Sequence, residues 1–171
     1  MKTIKVILII ISILVLAFLV TGIVIKETSY IAKVSIEKPV EIVFNNFMKI
    51  DSVKNWIPDI KSVKAINKNP GVIGSVYDVV VLNQGQEIAM TEKIMAYVPN
   101  EKVTLFFDAE NMLKKDDYLF TEENGITTIT LNASCQSESF LMACMFPYFK
   151  ATFQAQDQSY LNNFKTFLEK K

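Results

Sequence analysis

FPYFKATFQAQDQSYLNNFKTFL, residues 146–168, places Phe146, Phe149, Phe153, Tyr160, Phe164 and either Phe167 or Leu168 at steps of three, four and seven. Those steps bring the aromatic positions onto one side of an α-helix. Gln154, Gln156, Asp157, Asn162 and Lys165 fall on the other side. The spacing predicts an amphipathic helix of about 22 residues with an unusually aromatic face. Pro147 predicts either its first turn or a kink after a turn at 140–145, because proline lacks the N–H of an interior helical residue. A helix with such a face must be covered by something upstream.

The upstream sequence supplies a sheet. Apolar residues alternate in short runs near 60–67, 74–82, 86–97, 102–109, 113–121 and 125–135. The breaks are Asn69-Pro70-Gly71, Asn83-Gln84-Gly85, Pro99-Asn100 and Glu123-Asn124-Gly125, the last a strong hairpin signal. Connections this short between successive strands require antiparallel pairing. Before them, 31–37 reads as a first strand, with Ala32, Val34 and Ile36 on one face. Pro39, an acidic Glu41 and the spacing of Val40, Val43, Phe44 and Phe47 predict a short helix. Asp51, as an N-cap, predicts a second one ending before Pro58 and carrying Trp56. The order is strand, two short helices, six strands and one long helix. A single curved sheet of seven antiparallel strands buries a face by wrapping around that helix, an α+β helix-grip fold.

In that order, Val34-Ser35-Ile36-Glu37-Lys38-Pro39-Val40-Glu41-Ile42-Val43-Phe44, Asp51 to Trp56-Ile57-Pro58, Gly71-Val72-Ile73-Gly74-Ser75, Tyr118-Leu119-Phe120 and Gly125-Ile126-Thr127-Thr128-Ile129-Thr130 resemble the START-like SRPBCC superfamily. That superfamily includes polyketide cyclases, aromatase/cyclases, lipid-transfer domains and the birch-pollen-allergen type. The resemblance spans about 31–170 and implies a hydrophobic ligand held between sheet and long helix. Lys38 departs from the small residue usual before the proline. Enzymatic members often use pocket histidine or arginine, and this chain contains neither.

The opposite terminus has another character. Val6 to Ile25 is an uninterrupted apolar run without a charge, long enough at 1.5 Å per residue to span about 30 Å of hydrocarbon. It is longer than a signal peptide's apolar region, and no A-x-A-like site follows it. Residues 1–30 are therefore expected to be an uncleaved transmembrane helix and short linker, followed by one domain over 31–171. Basic residues are balanced across the span, and the short basic start favours a cytoplasmic N-terminus with the domain outside, in a bacterial envelope.

The 18 basic and 18 acidic side chains cancel and are well mixed, which argues against nucleic acid as a partner. Lacking histidine, the chain has no Ser-His-Asp or Cys-His arrangement and no histidine-containing metal site. No metal or other cofactor is expected. Cys135 and Cys144 read as two buried thiols, with a disulfide as the alternative.

The expected ligand-binding residues are Trp56 near a cavity mouth, Met90, Ile94, Leu105, Phe107, Tyr118 and Phe120 on the strands, and Phe149, Phe153 and Tyr160 on the helix. Ile88, Val103 and the deformable Met90, Met95, Met142 and Met145 belong to the same apolar surface. Asp78, Glu92, Asp116 and Thr127 share the inward alternation, and Glu92 and Asp116 are the candidate acid/base groups. These residues support membrane-tethered binding or transport of a lipid or polyketide-like molecule. A cyclase or hydrolase using a pocket carboxylate and tyrosine is one alternative. Another is an envelope scaffold that binds a partner through Phe140–Tyr148. A plain packed core is the competing reading of the aromatic face.

Overall fold

The computed structural model describes residues 2–83 and 85–170. Gln84, within the expected turn at Asn83-Gln84-Gly85, lies outside the described residues. The chain forms α1 (Lys2–Val24), β1 (Thr28–Ile36), α2 (Val40–Phe47), a 3₁₀ turn (Ile50–Asn55), β2 (Ile60–Asn67), β3 (Val76–Asn83), β4 (Gln86–Val98), β5 (Lys102–Ala109), β6 (Met112–Glu123), β7 (Ile126–Gln136) and α3 (Phe140–Glu169). The seven strands make one antiparallel sheet in the order β1-β7-β6-β5-β4-β3-β2. The sheet curves around α3 in the helix-grip arrangement.

Three boundaries differ from the sequence pattern. β1 starts at Thr28, where Thr28, Ser29 and Tyr30 pair with Cys135, Ser134 and Ala133. Only Ile25, Lys26 and Glu27 therefore separate α1 from the sheet. The second short helix is a 3₁₀ turn that begins at Ile50, so Asp51 lies inside it and Lys49 is its N-cap. The last helix runs 30 residues and takes Pro147 into its interior. The proline leaves the half-buried Ala143 carbonyl without its ordinary donor. The Asn124-Gly125 hairpin forms as expected, with φ of 53° and 76°.

The helix hangs from one edge of the sheet. β1 is an edge strand, and its outward backbone groups meet side chains of α3. Gln154 Nε2 donates to the Ile31 carbonyl at 2.8 Å, and Gln158 bonds both the N–H and the carbonyl of Lys33 at 3.0 and 2.8 Å. Lys165 Nζ donates to the Ser35 carbonyl at 2.8 Å. These bonds satisfy an edge that would otherwise be free to pair with another chain.

Beneath the C-terminal half of α3 the core is closed. Leu161, Phe164 and Leu168 are each at most 1% exposed, and full burial of each side chain stabilises the fold by about 1.5–3 kcal/mol. α2 plugs the space between this half-helix and the sheet. Its Phe47 ring lies 4.8 Å from Tyr118, 5.3 Å from Phe120 and 5.7 Å from Phe164, and Phe44 lies 5.0 Å from Phe120.

At the other end α1 packs on the first turns of α3. The Phe18 and Tyr148 rings stack with centroids 5.9 Å apart. Thr21 Oγ1 donates to the Cys144 carbonyl at 3.1 Å. Gly22 is required here, because a Cβ at that position would overlap Cys144 Sγ. Cys144 is thereby buried between helices while Cys135 lies in β7, and both thiols are free.

Candidate functional site

Where α2 ends, the space between α3 and the sheet stays open. A cavity of 820 Å³ lies between β3–β6, the 3₁₀ turn and the N-terminal half of α3. Its size lies within the range of small-molecule sites. The sheet contributes alternate residues: Tyr77, Val79 and Val81 from β3, Ile88, Met90, Glu92 and Ile94 from β4, and Val103, Leu105 and Phe107 from β5. α3 contributes Met142, Met145, Phe146, Phe149, Phe153, Gln156 and Tyr160. The lining also includes Leu82, Asn83, Glu110 and Asn111 of the β3–β4 and β5–β6 hairpins. Antiparallel pairing puts both hairpins at the end of the sheet where β1 begins and β7 ends, the end that carries α1.

Most of the expected site residues line this space: Trp56, Met90, Ile94, Leu105, Phe107, Tyr118, Phe149, Phe153 and Tyr160. Phe120 does not. It is 4% exposed and sits in the closed core against Phe44 and Phe47. Met95 is 50% exposed and faces outward. A β-bulge between Ile94 and Ala96 shifts the alternation, so Tyr97 takes the inward place. Asp78 also points away, since its neighbours Tyr77 and Val79 are the buried pair. Thr127 is inward but fully buried, and its hydroxyl donates to the Lys38 carbonyl at 2.6 Å. Trp56 is 4% exposed rather than a rim residue, wedged against Phe47 and Phe164 with its indole N–H unpaired.

One stretch of the wall is polar. Lys114 on β6 bonds Asp116 Oδ2 at 2.7 Å and approaches Asp157 Oδ2 at 2.9 Å. Tyr30 on β1 donates to the same Asp157 oxygen at 2.7 Å. The spacing places Asp157 on the solvent side of the helix, but in the fold it is buried on the inner side, where these partners compensate its charge. Asp116 stands just behind the lining, 2% exposed, and its Oδ1 accepts no hydrogen bond.

Burial opposes charge on Lys114, but the two aspartates beside it win and hold its pKa above the ordinary lysine value. Burial pushes Asp116 up to about 6 against the pull of Lys114. Glu92 lines the cavity on β4, and burial followed by the charge of Asp116 pushes it up to about 7. Burial and the nearby aspartates also raise Tyr118 and Tyr30 well above an ordinary phenol. A second polar point lies on α3, where Tyr160 donates to Asp59 at 2.6 Å and accepts from Gln156 at 2.7 Å. No group of three potential metal ligands occurs among the described residues. The site therefore combines a large apolar surface with a carboxylate-rich polar strip.

Sequence reasoning missed Lys114, Tyr30, Asp157 and Tyr97 as site residues. Lys114 was open to it, because it shares inward parity with Asp116 and Tyr118 on β6.

No protein-family model and no curated protein sequence matches the chain. Solved structures match its fold. The Zhui aromatase/cyclase from Streptomyces sp. R1128 superposes with a TM-score of 0.71 at 11% identity, over 84% of this chain and 94% of that one. Ara h 8.0201 matches with 0.70 at 13% identity, over 85% and 99%. A START superfamily protein from Mycobacterium smegmatis matches with 0.68 at 11% identity, over 82% and 98%. The chain has the START-like helix-grip fold.

Proposed function

We propose that this protein is a membrane-tethered module that binds a hydrophobic small molecule in the cavity between its sheet and α3. The observation that carries this reading is the 820 Å³ space itself, walled mainly by methionine, leucine, isoleucine and aromatic side chains. A core meant only for stability would be filled, since unfilled volume forfeits packing contacts. The similar aromatase/cyclase and START superfamily protein support a ligand-holding role by analogy of fold.

Tethering rests on α1, whose residues Thr3–Val24 are long and apolar enough to cross a bilayer. The packing of Phe18, Thr21 and Gly22 on α3 would fix the domain close to that bilayer rather than leave it on a free leash. The exposed Phe140, Leu141, Tyr148 and Phe149 flank the same end. With the hairpin end of the cavity beside them, a lipid-like guest would enter from the membrane side. We further propose that the domain lies on the outer side of the membrane with the N-terminus in the cytoplasm, a reading supported by the short basic start before α1. The cyclase or hydrolase alternative keeps one supporting observation, the raised Glu92 on the cavity wall near Tyr118.

Mass spectrometry of the full chain purified in mild detergent tests the reading. A co-purified apolar compound, lost on filling the cavity with Leu105→Trp, is expected. A chain that carries no such compound and takes up none from added lipid extract would overturn it.

A further inference from the structure

We infer that the ligand's polar end is a hydrogen-bond donor without negative charge, an alcohol or an amine, and that carboxylate and phosphate ends are excluded. This inference rests on the binding role proposed above. Lys114 is the only basic side chain among the described residues that line the cavity. Its ammonium is already committed, to Asp116 Oδ2 at 2.7 Å and to both Asp157 oxygens at 3.1 and 2.9 Å. The chain holds no arginine or histidine to replace it. An incoming anion would have to displace a buried carboxylate from Lys114, leaving an unpaired charge in a low-dielectric setting.

Carboxylates, by contrast, outnumber the basic groups. Asp59, Glu92 and Glu110 line the cavity, against that single lysine. Glu92 receives no hydrogen bond from another described residue, and behind it Asp116 Oδ1 is buried without a donor. A donor end placed at this strip gains an acceptor and relieves the surplus of negative charge. Once Glu92 and Asp116 have released their protons, an anionic end meets repulsion from two neighbouring elements, β4 and β6.

The test uses the full chain in phosphatidylcholine vesicles at about pH 8.5, where Glu92 is ionised, with three photoreactive probes of one hydrocarbon length, ending in hydroxyl, amine or carboxylate. After irradiation, adducts are counted by peptide mass spectrometry on β4–β6 and α3 and normalised to adducts on α1. The apolar helix meets every probe in the bilayer and so corrects for partitioning. The hydroxyl or amine probe is expected to label the cavity wall about tenfold more than the carboxylate probe. Equal or greater labelling by the carboxylate overturns the inference while leaving the binding role standing. Labelling of the wall by none of the probes defeats the binding role itself. Glu92→Gln is expected to raise carboxylate labelling severalfold. A variant that discriminates as sharply as the parent chain would place the exclusion elsewhere and overturn the inference.

Discussion

The two halves of α3 carry similar aromatic sequence and do opposite things. From Leu161 to Leu168 the helix is flush with the sheet, and Phe164 is completely buried against Phe47 and Trp56. From Met142 to Phe153 the same face looks into open space. What separates them is a third element. α2 delivers Phe44 and Phe47 into the gap at one end, and among the described residues no corresponding helix fills the other. An aromatic helical face therefore does not by itself report a closed core or a cavity; the plug decides.

The comparison breaks most directly by truncating one ring in each half. Phe164→Ala should cost about 3–5 kcal/mol in chemical unfolding of the full chain, because it empties a packed site. Phe153→Ala, at a wall that already borders empty space, should cost about 1–2 kcal/mol. Equal losses would mean that the N-terminal half is packed as tightly as the C-terminal half.

A second test fills rather than empties. Leu105→Trp adds volume on the open side and should leave stability within about 1 kcal/mol, whereas overpacking a filled core costs about 1–3 kcal/mol. Ala133→Leu, at a position in β7 that is 2% exposed, supplies the filled-core control.

The pH dependence of stability sharpens the contrast in charge. Folding raises Glu92 from 4.5 to about 7 and Asp116 from 3.8 to about 6, so the folded chain holds protons that the unfolded chain has released. Stability should therefore fall as pH rises from about 4 to about 7, then level off. Glu92→Gln should flatten the upper part of that slope in thermal melts recorded across pH. A slope unchanged by the substitution would mean that Glu92 is ordinarily solvated. The smallest effect is expected at α1. Gly22→Leu should shift the melting temperature of the domain little, yet loosen the α1–α3 contact and increase hydrogen exchange over Phe140–Phe149.

The sheet and its order were legible because alternation and turn residues are local signals; Asn124-Gly125 specifies its hairpin without help. Most of the apolar wall was legible for the same reason. The failures share a cause in distant partners. A bulge at Met95 moved the inward position to Tyr97, and no local pattern announces it. Phe120 has the same parity as Tyr118, and only the placement of Phe44 and Phe47 puts it in the closed half. Asp157 reads as a surface residue until Tyr30 and Lys114, far away in sequence, are folded against it. The suspension of α3 from the edge of β1 through Gln154 and Gln158 is likewise a tertiary event. That suspension keeps the helix along one side of the sheet and leaves the middle unfilled.

The most direct test is binding of a neutral environment-sensitive dye by the full chain in nanodiscs, read as energy transfer from Trp56, the sole tryptophan, which lines the cavity. Saturable transfer is expected, competed by apolar ligands and abolished by a bulky but non-indole filling substitution such as Leu105→Phe combined with Ala109→Phe. Transfer that never saturates, or that survives the filling, would show that the space beneath the N-terminal half of α3 takes no guest.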